Sequence, residues 1–165
     1  MAHTTRLLAV ANVTAVSDAL LDTLRERARE APLRVTLLVP AGGTEHAAAE
    51  EQLARALRRM RQAGLAADGR VGPPDPVVAV HEVWSPGDFD EIVVSTLPSG
   101  SSRWLQLDLP HRIERLTDAR VTHVEVPAES PPEPHVEQVE RSPRPRLGLL
   151  TPLEALWDHG RSRPA

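Results

Sequence analysis

The chain contains no lysine, no cysteine and no tyrosine, and it has a single phenylalanine among its 165 residues. All 19 of its basic residues are therefore arginine. Without lysine there is no P-loop lysine, no Schiff base and no receiver-type phosphorylation site with its lysine partner. Without cysteine there is no thiolate, no disulfide and no CxxC zinc site. The 19 basic residues are outnumbered by 23 acidic ones, a formal net charge of -4, so no basic field is available to hold a phosphate backbone, and nucleic acid is not an expected partner. No apolar run approaches the roughly 20 residues that cross a bilayer. The stretch Met1 to Arg6 lacks the charged-then-apolar order of a signal peptide. The sequence thus leads us to expect a cytoplasmic protein with no membrane contact. Its length suits one domain with a modest core.

What is present is an alternation of strand-like and helix-like segments. Thr5 to Val13 (TRLLAVANV) is a continuous apolar run, the pattern of a strand buried on both faces of a parallel sheet. Ser17 then offers an N-cap, and Leu20, Leu24 and Ala28 recur at helical spacing up to Pro32, which predicts a helix over Asp18 to Ala31. Leu33 to Val39 (LRVTLLV) reads as the second strand. After Gly42 and Gly43, Thr44 is placed to cap a longer helix carrying Leu53, Leu57 and Met60 and ending at Gly64. Ala66 to Gly72 has the polarity of an edge strand, and Asp75 to Trp84 carries valines in helical phase. Glu91 to Thr96 (EIVVST), the helix Leu109 to Thr117 and the strand Val121 to Val126 complete the pattern. The order β-α-β-α-β-α-β-α-β predicts a Rossmann-like α/β domain, a doubly wound five-stranded parallel sheet with right-handed crossovers, over residues 1–126.

From Pro127 the character changes, since this tail holds eight of the 16 prolines. Residues 127–146 have almost nothing apolar to bury and are expected to form a disordered, flexible linker rich in proline, glutamate and arginine. Residues 147–165 follow with LGLLTPLEALW at Leu147 to Trp157. There Thr151 and Glu154 are spaced as a capping box, Pro152 takes the first helical position and Gly160 is a stop. This predicts a short amphipathic C-terminal helix, which either folds back on its own domain or docks on a protein partner.

A first strand ending near Ala11-Asn12, a second ending in LLVPA, and EIVVST followed by a small-residue loop and the helix LPHRIERL together resemble the universal stress protein family, over about residues 5 to 126. The resemblance implies the sheet order 3-2-1-4-5, a homodimer paired through the last strand, and, as in many members, ATP bound where the chain leaves strands one and four. Carried onto this chain, that site comprises Ala11, Asn12, Val39, Ser95, Gly100, Ser101, Ser102 and Arg103. The family's nucleotide-binding members have two close glycines after strand four and then a glycine followed by Ser or Thr at the next helix. Glycines let backbone approach phosphates, and a helix N-terminus offers free N–H groups to the anion. Here the stretch Ser95 to Pro110 keeps only Gly100, Pro98 stiffens the loop, and Leu107-Asp108 stands where the Gly-Ser or Gly-Thr pair belongs. A carboxylate at the cap is expected to satisfy the helix donors itself and repel a triphosphate, while Pro110 removes another N–H. Asn12 also replaces the family's adenine-contacting acid.

Gly100 to Arg103 can be read as a small anion loop, with Arg103 a bidentate partner for one phosphate or carboxylate, or as a turn carrying an exposed arginine. Trp104 can stack on a base, or anchor in the core or at a subunit contact. The seven histidines show no HExxH motif and no i,i+4 pair, so no metal cluster is expected. Asp88, Asp90 and Glu91 read as decoration of the turn before strand four, and no GxSxG elbow is present. These readings converge on a non-catalytic regulatory or interaction module of universal-stress-protein type, with a degenerate nucleotide site and no cofactor. The alternatives are an adenine-nucleotide binder holding ATP or AMP on the Gly100 to Arg103 loop, and a nucleotide-handling enzyme on the same fold.

Overall fold

The computed structural model describes residues 3–98 and 100–127. The chain divides into two units, Met1–Ser130 and Pro131–Ala165. The linker and C-terminal helix expected from the sequence lie outside the described residues.

Five strands, β1 Thr5–Val10, β2 Leu33–Pro40, β3 Ala66–Gly72, β4 Glu91–Thr96 and β5 Arg120–Glu125, form one sheet in the order β3-β2-β1-β4-β5. Every neighbouring pair is parallel. The helices are α1 Asp18–Glu30, α2 His46–Gln62, α3 Pro76–Val83, α4 Arg103–Gln106 and α5 Leu109–Thr117. This is the doubly wound Rossmann-like architecture and strand order expected above.

The two faces of the sheet bury separate apolar clusters, because successive side chains of a strand point to opposite sides. Leu7 and Ala9 of β1, with Val35 and Leu37 of β2, pack under Leu20 and Leu24 of α1 and Ala56 and Met60 of α2. Leu8 and Val10, with Ile92 and Val94 of β4, pack under Ala79 and Val80 of α3 and Leu109 and Ile113 of α5. Burial on both faces is why β1 and β4 read as unbroken apolar runs. Each fully buried leucine or valine contributes about 1.5–3 kcal/mol of transfer free energy. Caps fix two helix starts: the Ser17 hydroxyl accepts from Leu20 N–H at 3.3 Å, and the Asp75 carboxylate accepts from Val77 and Val78 N–H at 2.8 and 3.2 Å.

Four local expectations change. The first strand ends at Val10, and Val13–Val16 forms a 3-10 turn, so the apolar run outlasts the strand. Thr44 does not cap α2: it lies within a second 3-10 turn, Gly43–Glu45, from which the helix continues at His46. The loop after β4 contains the short helix α4, whose cap is Ser102, its hydroxyl accepting from Leu105 N–H at 3.3 Å. Glu91 is not turn decoration. It is 7% exposed within β4, accepts from Arg27 Nη2 of α1 at 3.0 Å, and accepts from the Thr122 hydroxyl of β5 at 2.7 Å.

Candidate functional site

In this strand order β1 and β4 are neighbours. The chain leaves β1 toward the helix layer of α1 and α2, and leaves β4 toward that of α5. A crevice must open between the two exits, at the carboxyl ends of the strands, where doubly wound folds place their ligands. The structure has a cleft of about 190 Å³ there, lined from the β1 side by Asn12, Val13 and Thr14 and from the β4 side by Ser95, Thr96, Leu97, Ser101, Ser102, Arg103 and Trp104.

Hydrogen bonds hold both rims. The Thr14 hydroxyl donates to the Ser95 carbonyl at 3.0 Å. Asn12 donates through Nδ2 to the Pro40 carbonyl at 3.3 Å, and Gln52 of α2 donates to the Asn12 carbonyl. Arg59 of α2 donates to the Val16 carbonyl and pairs with Asp18. On the other rim the Ser101 and Ser102 N–H groups both donate to the Pro98 carbonyl, at 2.8 and 2.9 Å. Those amides are consumed within the loop and do not face a ligand as free donors. Ser95 is the exception to this closure: it is 1% exposed, and its hydroxyl has no hydrogen-bond partner among the described residues. Arg103 is exposed and makes no ion pair among the described residues.

A larger groove of about 790 Å³ lies beyond Val13, Thr14, Leu97 and Ser101 and is lined on its α1 side by Asp18 and Asp22. Its one cation, Arg59, is the residue paired with Asp18. Both carboxylates are paired, Asp18 with Arg59 and Asp22 with Arg25 at 3.1 Å, so among its described lining residues the groove offers a polyanion no unpaired cation.

The structure brings together five of the eight residues carried over by resemblance: Asn12, Ser95, Ser101, Ser102 and Arg103 line the cleft. Ala11 and Val39 do not line it. Both are fully buried in the core beneath α1 and α2, on the sheet face away from α5. Gly100 is adjacent but outside the lining, and a Cβ built there meets no atom within 4 Å, so no close backbone approach requires glycine. The expected role of Asp108 also changes. It adopts the left-handed conformation, φ 52°, its side chain makes no cap hydrogen bond, and its carboxylate lies 2.8 Å from His111 Nδ1. It still sets a carboxylate at the start of α5, but it does not satisfy the helix donors. Trp104 both lines the cleft and packs on the α3/α5 cluster. Sequence reasoning missed Thr14 and Thr96. Thr96 lies behind Leu97 in the chain, 2% exposed, with its hydroxyl 2.7 Å from His123 Nε2 of β5.

No family model matches the sequence, and no curated protein matches it. Solved structures do match in fold. The chain is similar to a universal stress protein crystallised in complex with cAMP, at 19% identity and a TM-score of 0.55, over 76% of this chain and 98% of that one. It is also similar to the universal stress protein from Archaeoglobus fulgidus, at 18% identity and a TM-score of 0.52, over 74% and 98% of the two chains. The fold is thus that of the universal stress proteins, a Rossmann-like α/β sheet. Among the described residues, no helix is long and apolar enough to cross a membrane.

Proposed function

We propose that this chain is a divergent universal stress protein that serves as a non-catalytic, cytoplasmic regulatory or interaction module, its nucleotide site degenerate. The observation that carries the reading is the loop after β4. The amides that would cradle phosphates are bonded to the Pro98 carbonyl at 2.8 and 2.9 Å, and Leu105 N–H is bonded to the Ser102 hydroxyl. A triphosphate would therefore replace existing hydrogen bonds, not satisfy free donors. The Asp108 carboxylate at the start of α5 adds repulsion. A non-catalytic role is supported by the cleft lining, in which, among the described residues, Arg103 is the only ionisable side chain.

The test is a thermal-shift screen of the full chain with ATP, AMP and cyclic nucleotides. A ligand at 100 times its Kd adds about 2.7 kcal/mol of stability. The expected outcome is no shift, and tight ATP binding by the unmodified protein would overturn the reading.

A second reading, an adenine-nucleotide binder using ATP or AMP at Arg103, is favoured by one observation, a guanidinium with no ion pair among the described residues beside a switch-point cleft, on a fold whose similar structure holds cAMP. The same screen separates the two. As partner we propose a second copy of the chain paired along β5, the outer strand of the sheet. An open strand edge invites such pairing. Sedimentation at high concentration should give a dimer, and a monomer there would remove this part of the proposal.

A further inference from the structure

A groove of about 380 Å³ lies between α1 and the outer strand β5, lined by Glu26, Arg27 and Glu30 of the helix and by Thr122 and Val124 of the strand. Arg27 is already engaged, with Glu91 at 3.0 Å and with Glu30 at 3.6 Å. Glu26 makes no ion pair among the described residues, so the groove holds an unneutralised carboxylate at the edge of the sheet. At the start of the same strand, Arg120 is exposed and likewise makes no ion pair among the described residues. Thr122 bonds Glu91 and Val124 packs on the α1/α2 cluster, whereas Val121 packs on the α3/α5 cluster. By alternation Arg120 belongs to the α1 face, with Thr122 and Val124. Complementary charges thus share one face of one open edge without meeting inside a single chain.

Two copies can continue the sheet through β5 only about a two-fold axis perpendicular to it, with the strands antiparallel and each face kept on its own side. Directly opposed residues then share a face, so both must be even-numbered or both odd-numbered. The midpoint of the six-residue strand, between Thr122 and His123, therefore cannot carry the axis. Two registers keep most of the strand paired. One puts Thr122 on the axis and Arg120 opposite Val124, which lines the groove; the other puts His123 on the axis and Arg120 opposite Val126, which does not. Charge decides between them, because only the first sets the arginine of each copy beside the groove that holds the other copy's free carboxylate.

We propose that β5 receives a second copy of the chain in the register centred on Thr122, locked by an ion pair from Arg120 of each copy to Glu26 of the other. This rests on the β5 pairing put forward above and names what selects the partner edge. Val126 N–H donates inward to the Thr96 carbonyl at 2.8 Å, so by alternation Thr122 also points its backbone groups inward. Thr122 opposite Thr122 is then the close kind of antiparallel pair, with Cα atoms about 4.5 Å apart.

The test uses the full chain and sedimentation. Arg120→Glu and Glu26→Arg, both at exposed positions, should each raise the dimer dissociation constant about tenfold or more, because the axis turns one reversal into two repulsions. An equimolar mixture of the two variants should restore the dimer, since each copy then meets an opposite charge on the other. The chain has no cysteine, so single cysteines report the register directly. Thr122→Cys should give a covalent dimer on oxidation and His123→Cys should not, because a residue off the axis lies about 7–8 Å from its own copy, beyond disulfide reach. Charge variants that dimerise like the wild type, a mixture that stays dissociated, or cross-linking through His123→Cys alone would each overturn the inference and leave β5 pairing standing. A dimer that neither cysteine cross-links, or a monomeric wild type at high concentration, would overturn the β5 pairing and this inference with it.

Discussion

The Thr14 hydroxyl donates to the Ser95 carbonyl across 81 residues of sequence, at 3.0 Å and with Thr14 only 3% exposed. This bond joins the 3-10 turn after β1 to the last turnless residues of β4, and so sets the width of the cleft between them. Thr14→Val keeps the shape but leaves the buried carbonyl unpaired, which costs about 1–3 kcal/mol. Urea denaturation should show a lower midpoint at an unchanged slope, and a midpoint equal to the wild type would mean that the carbonyl finds another donor.

Arg27, Glu91 and Thr122 bind α1, β4 and β5 together. Removing Arg27 alone, as in Arg27→Met, strands a carboxylate whose side chain is 9% exposed. For a fully buried pair the loss is about 3–5 kcal/mol. Arg27 is 25% exposed, so solvent screening should bring the loss below that range. The double variant Arg27→Met with Glu91→Leu should recover most of it, because no charge is then left unpaired. A double variant as unstable as the single one would show that the pair acts through packing and not through charge.

How far the sequence discloses this molecule differs between its parts. The alternation of buried runs and amphipathic segments carries the strand and helix order, because period and length follow directly from which faces meet the core. The caps at Ser17 and Asp75 are legible for the same local reason. Asp108 is not: a helix-start Asp is ordinarily a cap, whereas here its backbone is left-handed and its carboxylate meets His111, three residues on. Glu91 was hidden by being one acid in an acidic stretch, since only the distant Arg27 and Thr122 make its burial tolerable. At the site, the loop residues Ser101 to Arg103 lie together in sequence and were found together. Thr14 was concealed because an apolar run does not show where a strand becomes a 3-10 turn. Ala11 and Val39 lie in the core beneath α1 and α2: Ala11 alternates with the cleft-lining Asn12, and Val39 belongs to β2, which contributes no residue to the cleft.

Gly69 of β3 sits directly opposite Leu37 of β2 and beneath α2. A Cβ added there would lie 2.5 Å from the Leu37 carbonyl oxygen and 2.8 Å from Leu53 Cδ1. The first of these is backbone and cannot rotate away. Gly69→Ala should therefore destabilise by about 1–3 kcal/mol through overpacking. Gly100→Ala, where the same atom meets nothing, should stay within about 0.5 kcal/mol of the wild type. Equal effects of the two in denaturation would remove the steric explanation for Gly69.

Asp90 gives the fold a defined response to acid. Its carboxylate is held below the ordinary aspartate range mainly by the Arg6 backbone N–H, which donates to Oδ2 at 2.8 Å. Desolvation opposes this, and the charges of His3 and Arg6, at 3.4 and 3.8 Å, assist it. A carboxyl whose pKa is lower folded than unfolded binds its proton more readily in the unfolded chain. Its contribution to stability is therefore complete above the unfolded value of about 3.9 and is lost as pH falls through the lower, folded value. The side chain is 33% exposed, so the contribution is screened and modest. Asp90→Asn keeps an oxygen for the Arg6 amide but removes the charge. Stability measured by urea denaturation between pH 6 and pH 2.5 should then fall less steeply below about pH 4 in Asp90→Asn than in the wild type, while the two curves run parallel above pH 5. If the acid limbs of the two profiles superimpose, the Arg6 amide does not favour the ionised form, and the link between β1 and the start of β4 rests on the Asp90 N–H bond to the Arg6 carbonyl alone, at 2.8 Å.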